Sequence, residues 1–343
     1  MAKKKKRSFA RIVLTVLCVL LGLVLAVLIA GTIYINGFLD RINRFEDASE
    51  PTRTVEEENQ ILNETDPPEA IMGVEEIDEN EIVKPSAPAE MLEEEEHIVN
   101  ILLIGQDKRP GQGRQRSDAM ILCTVNTDKK TLVMTSFLRD LYVQFPDYNG
   151  RSYSDSRINA TYVIGGMEML NDCLKLNFGV DVDHNIEVDF SGFEDIVDII
   201  GGVDINLTRA EAGWIGGNLR EGINHLNGEQ ALNYSRIRKL DSDFGRTNRQ
   251  RNVLNAIFEK VRGMSLTDLT SLAESIMPMI TTDMTNGEII GYVLEFFPIL
   301  ADLEVTTQHI PAEGCYKGAQ IRGMSVLVPD YEANIQILKD TIG

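Results

Sequence analysis

The feature that most constrains this chain is an apolar run from Ile12 to Ile35 that contains no charged residue. About 20 apolar residues cross the hydrocarbon core of a bilayer as a helix, whereas the apolar region of a cleaved secretory signal has about 7–15 residues. The run therefore predicts a transmembrane helix over residues 12–35, and a cleaved signal is the alternative. Because Lys and Arg precede the run within residues 1–11, we expect a cytoplasmic basic tail and an extracellular remainder. This topology argues against a cytoplasmic gene regulator.

The net charge of the 343-residue chain is −20 at pH 7, and it is unevenly distributed. Residues 36–96 are rich in Glu and Pro and poor in aromatic residues, a composition that resists collapse into a core. We therefore predict an acidic disordered linker over residues 36–96 that holds the next domain away from the membrane, with a partner-binding tail as the alternative. Residues 97–343 are also net acidic, which argues against the broad basic face that nucleic-acid binding requires.

Residues 97–343 show apolar strand and helix patterns in the mixture that is typical of a layered domain. Ile98–Ile104 predicts a buried strand, and the turn Asn126-Thr127-Asp128 predicts a hairpin of Ala119–Asn126 with Thr131–Phe137. We expect a three-layer α/β/α domain with a central mixed sheet, in which residues 98–262 carry the motifs and residues 263–343 form a helical C-terminal part. Further strands are predicted at Ile186–Asp189, Val203–Leu207 and Leu303–His309, and helices at Arg157–Leu176, Phe190–Ile200, Gly228–Tyr234, Gly245–Arg262, 265–280, 286–299 and Asp330–Ile342.

Three cysteines, Cys123, Cys173 and Cys315, follow the apolar run, and Cys18 lies within it. An odd number outside the membrane leaves at least one thiol unpaired in a monomer. No C-x-x-C or Cys/His spacing occurs, so a zinc site is not predicted. We expect the three to pack as small apolar side chains, with a Cys123–Cys173 disulfide as the alternative.

Five arginines in short motifs indicate what the domain binds. A planar guanidinium donates to two phosphate oxygens at once, and an acidic domain that binds an anion must concentrate its cations at one place. We therefore predict that these arginines form a site for a diphosphate. They are Arg116 in R-S-D, Arg139 in L-R-D, Arg236 and Arg238 in R-I-R, and Arg246 in D-F-G-R.

Aspartates stand beside these arginines in the sequence. Asp107 follows the first predicted strand and Asp118 precedes the second, so both carboxylates lie at one end of the sheet if the two strands are neighbours. Carboxylates placed in this way hold the divalent cation that phosphoryl chemistry often uses to offset charge. The alternatives are two solvated loop aspartates and, for Arg139 and Asp140, a surface ion pair of little energetic value.

The same motifs, in the same order, resemble those of the LytR–CpsA–Psr phosphotransferases. The resemblance covers residues 98–262 and continues more weakly to the C-terminus, and the predicted anchor and orientation also match. One departure is Phe137-Leu138 before the Arg-Asp pair, where the family usually has Ile-Pro, so that the loop lacks the constraint of a proline. The matching segments are N-I-L-L-I-G-Q-D (100–107), R-S-D (116–118), L-R-D (138–140), I-N-A (158–160), I-G-G-V-D (200–204), H-L-N-G-E-Q-A-L (225–232), Y-S-R-I-R (234–238), D-F-G-R (243–246) and R-Q (249–250).

The resemblance implies an enzyme at the outer face of a Gram-positive-type membrane. Such an enzyme moves a glycopolymer, teichoic-acid-like or capsular, from a polyprenyl-diphosphate carrier to a peptidoglycan hydroxyl, forming a phosphodiester link. Asp107 and Asp118 match the family's ligands of Mg²⁺ (or Mn²⁺). The implied diphosphate-binding residues are Arg116, Arg139, Arg236, Arg238, Arg246 and Gln250, and the implied catalytic residues are Asp140, Asp243, Arg139, Arg238 and Arg246.

Two alternatives stand beside this interpretation, and one role is left open. With water as the attacking group the same site would act as a polyprenyl-diphosphate hydrolase, and the fold without activity would be a cell-wall scaffold. The attacking hydroxyl of a transferase needs a proton acceptor, for which Asp140 and Asp243 are both candidates. Both enzymatic interpretations require arginines from distant segments to converge at the mouth of an apolar channel that takes the polyprenyl chain.

Overall fold

The computed structural model describes residues 35–45, 53–66, 74–85, 97–108, 113–238, 240 and 243–342. The chain divides into two compact units, Met1–Ile42 and Asn43–Gly343. The predicted transmembrane helix lies outside the described residues apart from Ile35. Within the part that is described, no helix combines the length and the apolar character needed to cross a bilayer.

The second unit alternates between strands and helices. Its strands are β1 (Asn43–Arg44), β2 (Ile98–Gln106), β3 (Ser117–Asn126), β4 (Thr131–Phe137), β5 (Tyr142–Val143), β6 (Ser156–Arg157), β7 (His184–Asp189), β8 (Val203–Leu207), β9 (Gly222–Leu226), β10 (Ile280–Thr282), β11 (Glu304–Ile310), β12 (Tyr316–Ile321) and β13 (Met324–Pro329). Its helices are α1 (Val55–Leu62), α2 (Asn159–Phe178), α3 (Phe190–Ile199), α4 (Arg209–Ile215), α5 (Gly228–Ser235), α6 (Asp243–Val261), α7 (Leu266–Ile276), α8 (Asn286–Phe296) and α9 (Tyr331–Ile342).

Seven of the strands form one mixed sheet in the order β1-β10-β7-β2-β3-β4-β11. The central strand β2 pairs antiparallel with β3 and parallel with β7. The predicted β3–β4 hairpin is present, and the side chain of Asn126 accepts a hydrogen bond from Lys129 N across its turn (2.8 Å). β11 adds in parallel at the edge of β4. The expected central mixed sheet is therefore confirmed.

Helices cover both faces of this sheet. Because successive side chains of a strand point to opposite faces, Ile104 of β2 joins a core with Leu170 of α2. Its neighbour Leu103 packs in a different core with Leu254 of α6 and Phe296 of α8. The three-layer arrangement follows from this alternation, and α6 lies against the sheet with the D-F-G-R motif in its first turn.

The long helix α2 is interrupted where the spacing over Arg157–Leu176 predicted a continuous helix. Gly165 and Gly166 have non-helical backbone angles, and φ of Gly166 is +65°. A Cβ atom on Gly166 would lie 2.7 Å from atoms of Arg114 and Phe45. Glycine at this position therefore permits both the left-handed backbone and the close approach of the Arg114 guanidinium.

The C-terminal part is less helical than predicted, because β12 and β13 form a hairpin within it. Its two turn residues, Arg322 and Gly323, both have positive φ (50° and 77°), the conformation that joins twisted antiparallel strands through a two-residue turn. The usual sequence signal at the first of these positions is Asn, Asp or Gly. Because Arg322 is none of these residues, the sequence carries no signal for the turn, and the hairpin was not predicted.

The prediction of a disordered linker over residues 36–96 is wrong for three stretches, and the first of them contains β1 (Asn43–Arg44), which pairs with β10. Thr54 and Glu57 form a capping box at the start of α1, and Leu62 at its end is 2% exposed within the main core. Residues 74–85 also pack on the domain, with Ile77 and Ile82 against the β12–β13 hairpin. The prediction rested on the average composition of residues 36–96, which is acidic. A few apolar residues within it are nevertheless enough to hold short segments against the core of the domain.

The thiols of Cys123, Cys173 and Cys315 are all free, so the alternative of a Cys123–Cys173 disulfide is wrong. Cys173 is fully buried. Burial also raises the pKa of Cys123 to about 12, which makes this thiol a poor nucleophile near neutral pH. Both side chains act as small apolar groups, as expected.

Candidate functional site

The two aspartates proposed as metal ligands lie at the same end of the sheet. Asp107 directly follows β2, Asp118 is the second residue of β3, and the strand pairing places Gln106 opposite Ser117. The antiparallel register therefore brings the end of one strand next to the start of the other. The sequence expectation that both carboxylates share one sheet end agrees with this register.

Arg139 lies at the centre of a network of three carboxylates. Its Nη1 donates to Asp118 Oδ1 over 3.0 Å, and its Nε lies 3.3 Å from Asp140 Oδ2 and 3.9 Å from Asp243 Oδ1. Arg238 reaches the same oxygen of Asp118, with its Nη2 atom at 3.2 Å. Segments that are about 100 residues apart in sequence are thus joined by ion pairs in one network.

The R-I-R segment directs its two arginines away from its central residue. Ile237 is fully buried in a core beside α5 and α6, whereas Arg236 and Arg238 both line one cavity. The Cζ atom of Arg236 lies 4.5 Å from the centroid of the Phe190 ring, and its Nη2 lies 3.5 Å from Asp107 Oδ2. Arg249 holds the segment in place, because its Nη1 donates to the Ile237 carbonyl (3.1 Å).

The first turns of α6 contribute buried polar atoms that have no hydrogen-bond partner in the described part of the chain. These atoms are Nε and Nη1 of Arg246, Oδ2 of Asp243 and Oε1 of Gln250. The Arg246 side chain is only 3% exposed, and its Nη2 contacts Asp243 Oδ1 (2.5 Å). Since burying a polar group without a partner is costly, these atoms indicate a polar ligand at this place.

Arg116 departs from the predicted cluster. Its Nη2 contacts the Ile61 carbonyl (2.6 Å) and Glu64 Oε2 (2.8 Å), both in or just after α1. Burial lowers the pKa of Arg116, and Glu64 opposes this change. The guanidinium is therefore held by the N-terminal segment, beside the network rather than within it.

An apolar cavity of about 240 Å³ adjoins the arginines. It lies between the sheet and the helices α3 and α6, with Leu103, Ile121 and Val188 on the sheet side. Polar side chains line it at one end of α6, whereas Leu254 and Ile257 line it two to three turns further along the same helix. The lining also includes Asp118, Phe190, Arg236, Arg238, Arg246 and Gln250.

Burial and charge act in opposite directions on the pKa values of the network. Burial lowers the pKa of Arg139, but the carboxylates of Asp140, Asp243 and Asp118 together raise it above its ordinary value. Burial lowers the pKa of Arg246, and Asp243 only partly offsets this effect. Burial also raises the pKa of Asp243 in spite of its arginine neighbours, so this carboxyl accepts a proton more readily than an exposed aspartate.

The donors at this sheet end suit a hard divalent cation, which prefers carboxylate oxygens. Among the described residues there is no group of three or more His, Cys, Asp or Glu side chains that could hold a metal ion. A cation between Asp107 and Asp118 would therefore take its other ligands from water and substrate phosphate, as Mg²⁺ commonly does. The residues fit Mg²⁺ or Mn²⁺ on these terms.

Arg157 lies in the network, although no sequence motif identified it as a site residue. Its side chain is 7% exposed, and its Nε lies 3.6 Å from Asp140 Oδ1. Arg157 also contacts the Asp66 carboxylate and the Ser325 carbonyl, so it ties Asp140 to the N-terminal segment and to the C-terminal hairpin. The available sequence signal for Arg157 was its position as a charged residue directly before the apolar pattern of α2.

Comparison with known proteins agrees with the motifs. The model of the LytR_cpsA_psr family matches residues 55–342. A Bacillus mycoides (strain KBAB4) protein, polyisoprenyl-teichoic acid–peptidoglycan teichoic acid transferase TagU, is 34% identical over 221 residues, which are 63% of this chain and 69% of that protein. Regulatory protein MsrR of Staphylococcus aureus (strain COL) is 30% identical over 247 residues, 71% of this chain and 73% of MsrR.

A solved structure, TagT bound to LI-WTA, superimposes with a TM-score of 0.59. The sequences are 25% identical, and the match covers 76% of this chain and 96% of the TagT chain. The two named relatives point to different roles, one a transferase and the other a regulator, so the names alone do not assign an activity. The match of the family model across most of the folded unit nevertheless shows that this chain belongs to the LytR–CpsA–Psr family.

Proposed function

We propose that this protein is a membrane-anchored, extracellular phosphotransferase that moves a glycopolymer from a polyprenyl-diphosphate carrier to a peptidoglycan hydroxyl. The observation that carries the proposal is the meeting of Arg236, Arg238 and Arg246 with one end of an apolar cavity. A polyprenyl diphosphate has the same two-part character, with an apolar chain joined to a concentrated negative charge. The relative TagU is named as a teichoic acid transferase, which supports a teichoic-acid-like polymer; a capsular polysaccharide is the other candidate.

In this proposal the arginines bind the diphosphate and stabilise the charge that develops during transfer. Arginine stays ionised and is weakly hydrated, so it suits a partly buried site next to an apolar cavity. Arg246 has two unpartnered donor atoms among the described residues, and Arg238 and Arg139 are held by carboxylates that a phosphate would replace. Donors fixed before the reaction stabilise the transition state without reorganisation.

Asp243 is the better candidate for the proton acceptor. Its Oδ2 is buried without a partner among the described residues, and burial raises its pKa. Asp140, in contrast, contacts arginines through both oxygens, Arg139 through Oδ2 and Arg157 through Oδ1. We therefore assign Asp140 to the positioning of Arg139, and Asp243 to the removal of the hydroxyl proton.

The transfer step exchanges one phosphorus–oxygen bond for another. The acceptor oxygen forms a bond to the phosphorus that carries the glycopolymer, and its proton passes to Asp243. The bond from that phosphorus to the bridging oxygen breaks, and polyprenyl monophosphate leaves with the electron pair. A divalent cation held by Asp107 and Asp118 would supply additional charge neutralisation at the diphosphate.

The test uses the full chain in detergent with a polyprenyl-diphosphate-linked glycan, Mg²⁺ and a peptidoglycan oligomer. We expect a phosphodiester-linked product that requires the acceptor, and Arg238→Ala and Arg246→Ala variants that stay folded but lose turnover. Release of free glycan phosphate without acceptor would support a hydrolase instead. A folded protein that transfers nothing from a panel of donors would overturn the proposal and leave a scaffold role.

A further inference from the structure

Helix α8 is apolar on its solvent side as well as on its inner side. Phe296 and, three residues past the end of the helix, Ile299 pack in the core that contains Leu254 of α6. Nearer the solvent, Val293, Leu294 and Phe297 are 53%, 71% and 40% exposed. Together with Ile290 they follow the spacing of three and four residues that places side chains on one face of a helix. We call Ile290, Val293, Leu294 and Phe297 the outer face of α8.

An exposed apolar stripe of this kind is unusual for a surface helix, whose solvent side is normally polar. Single exposed apolar residues need no explanation, but a contiguous group marks a surface that binds something apolar. No residue of α8 is fully buried, although its sequence N-G-E-I-I-G-Y-V-L-E-F contains only two acidic residues and no basic one. The composition of the helix is therefore that of a buried helix, although the helix lies at the surface of the domain.

The chain leading from the predicted membrane anchor arrives at the start of this helix. Asn43 and Arg44 of β1 pair with Thr281 and Thr282 of β10, four residues before α8. The Arg44 guanidinium also contacts the carbonyl of Met284 and the side chain of Asn286. Only residues 36–42 separate this junction from the end of the apolar run at Ile35, and eight peptide units reach at most about 28 Å.

We propose that the outer face of α8 docks on the lipid bilayer. The proposal rests on the anchor in the proposed function, because an anchor close to β1 keeps α8 near the membrane surface. Two observations point to the bilayer as the binding partner of this face. They are the short connection of residues 36–42 between the predicted anchor and β1, and the apolar outer face itself. The acidic domain and the absence of Lys and Arg from α8 argue for insertion of apolar side chains among lipids rather than attraction to anionic headgroups.

Docking at this helix would place the membrane beside the apolar cavity. Leu254 lines the cavity and belongs to the same core as Phe296 of α8, and it lies two turns along α6 from the arginine end. The cavity of about 240 Å³ is smaller than the 300–1,000 Å³ typical of pockets for drug-sized ligands. It therefore holds only part of a polyprenyl chain, and a docked α8 gives the rest of the chain a short path to the bilayer.

The first test measures the depth of a tryptophan in the full chain reconstituted into phosphatidylcholine vesicles that contain brominated acyl chains. Trp214 is the only tryptophan, so the probes are made in a Trp214→Phe background. We expect Leu294→Trp to be quenched by the brominated lipid, with no dependence on salt or on added anionic lipid. Ile223→Trp is the matched control, because Ile223 is 80% exposed on β9 and should not be quenched.

Two results would overturn the proposal, one from this quenching test and one from a cross-linking experiment. An unquenched Trp at position 294 means that the outer face does not enter the bilayer. Disulfide cross-linking between copies that carry Leu294→Cys, without lipid quenching, would assign the face to a second copy of the chain instead.

The second test separates docking from the transfer reaction. A Val293→Ser, Leu294→Ser, Phe297→Ser variant should transfer glycan from a short-chain, water-soluble donor at the wild-type rate. With a long-chain donor embedded in vesicles, the same variant should be at least about 10-fold slower, a difference of about 1.4 kcal/mol. Equal rates of wild type and variant on both donors would overturn docking and leave the proposed function standing. If wild type itself transfers neither donor, the proposed function fails, and the quenching result alone decides on docking.

Discussion

Arg139 Nη1 lies 3.0 Å from Asp118 Oδ1, which joins the Arg-Asp turn after β4 to the start of β3. Asp140 and Asp243 also lie within 4 Å of the Arg139 guanidinium. A diphosphate that binds Arg139 must therefore compete with carboxylates of the protein. A divalent cation on Asp118 would reduce that competition, which gives a physical reason for metal and substrate to bind together.

Replacement of Arg139 by Ala should leave the protein folded and reduce kcat by about 10²–10³-fold, which corresponds to about 2.7–4 kcal/mol. The reason is that one preorganised donor at the developing charge is lost. Steady-state kinetics with a polyprenyl-diphosphate donor would measure the effect. Arg209→Ala is the matched control, because the Arg209 side chain is 90% exposed in a pair with Glu221. A similar loss in both variants would contradict the assignment of Arg139.

The pH dependence of the transfer rate tests the assignment of Asp243 as the base. Burial raises the pKa of Asp243 above its ordinary value of 3.8, and a base must be ionised to accept a proton. The transfer rate of the wild type should therefore fall as the pH decreases through this raised pKa. Asp243→Asn should lower the rate by about 10²–10⁴-fold and remove the acidic limb of the pH profile.

Asp140→Asn is the comparison variant for this prediction. Asp140 is assigned to the positioning of Arg139, so its loss should reduce kcat while the acidic limb persists. Rate profiles of both variants over the acidic range would decide between them. An acidic limb that survives in Asp243→Asn but disappears in Asp140→Asn would reverse the two roles.

Much of the arrangement of the candidate site could be predicted because its residues occur in short motifs at strand and helix ends. The apolar patterns predicted β2 and β3 as strands, and their observed pairing places Asp107 and Asp118 at one sheet end. The course of the R-I-R segment was not predictable from spacing. The two arginines point to one side and Ile237 to the other because Ile237 is buried and its carbonyl accepts a hydrogen bond from Arg249. Both are tertiary contacts, which residue spacing within the segment does not predict.

Two differences at the candidate site, at Arg116 and Arg157, arise from contacts of the N-terminal segment. Arg116 matched a diphosphate-binding position by motif, but Glu64 and the Ile61 carbonyl hold its guanidinium. The sequence pattern predicts Arg157 only as the start of a helix, whereas its guanidinium contacts both Asp140 and Asp66. In each case the partner lies in residues 53–66, which composition alone assigned to a disordered linker.

The apolar cavity should discriminate between donors by chain length. Val188 of β7 lines it, and Val188→Phe fills part of its volume. We expect KM for a long-chain donor to rise by about 10-fold or more, with little change for a donor of one or two isoprene units. Ile223→Phe, at an exposed position of β9, should change neither value. An equal effect on short and long donors would mean that the chain binds elsewhere.

Leu62 provides a test of whether α1 belongs to the folded domain. Its side chain is 2% exposed in the main core, so Leu62→Ala should lower the free energy of unfolding by about 2–5 kcal/mol. Val55→Ala in the first turn of the same helix, where Val55 is 55% exposed, should change it by less than about 0.5 kcal/mol. Denaturant titration of the full chain in detergent would measure both. Equal small effects would show that α1 adds nothing to the core. The Arg116 contacts with Ile61 and Glu64 would then not fix that guanidinium, and Arg116 would be free to join the other arginines at the cavity.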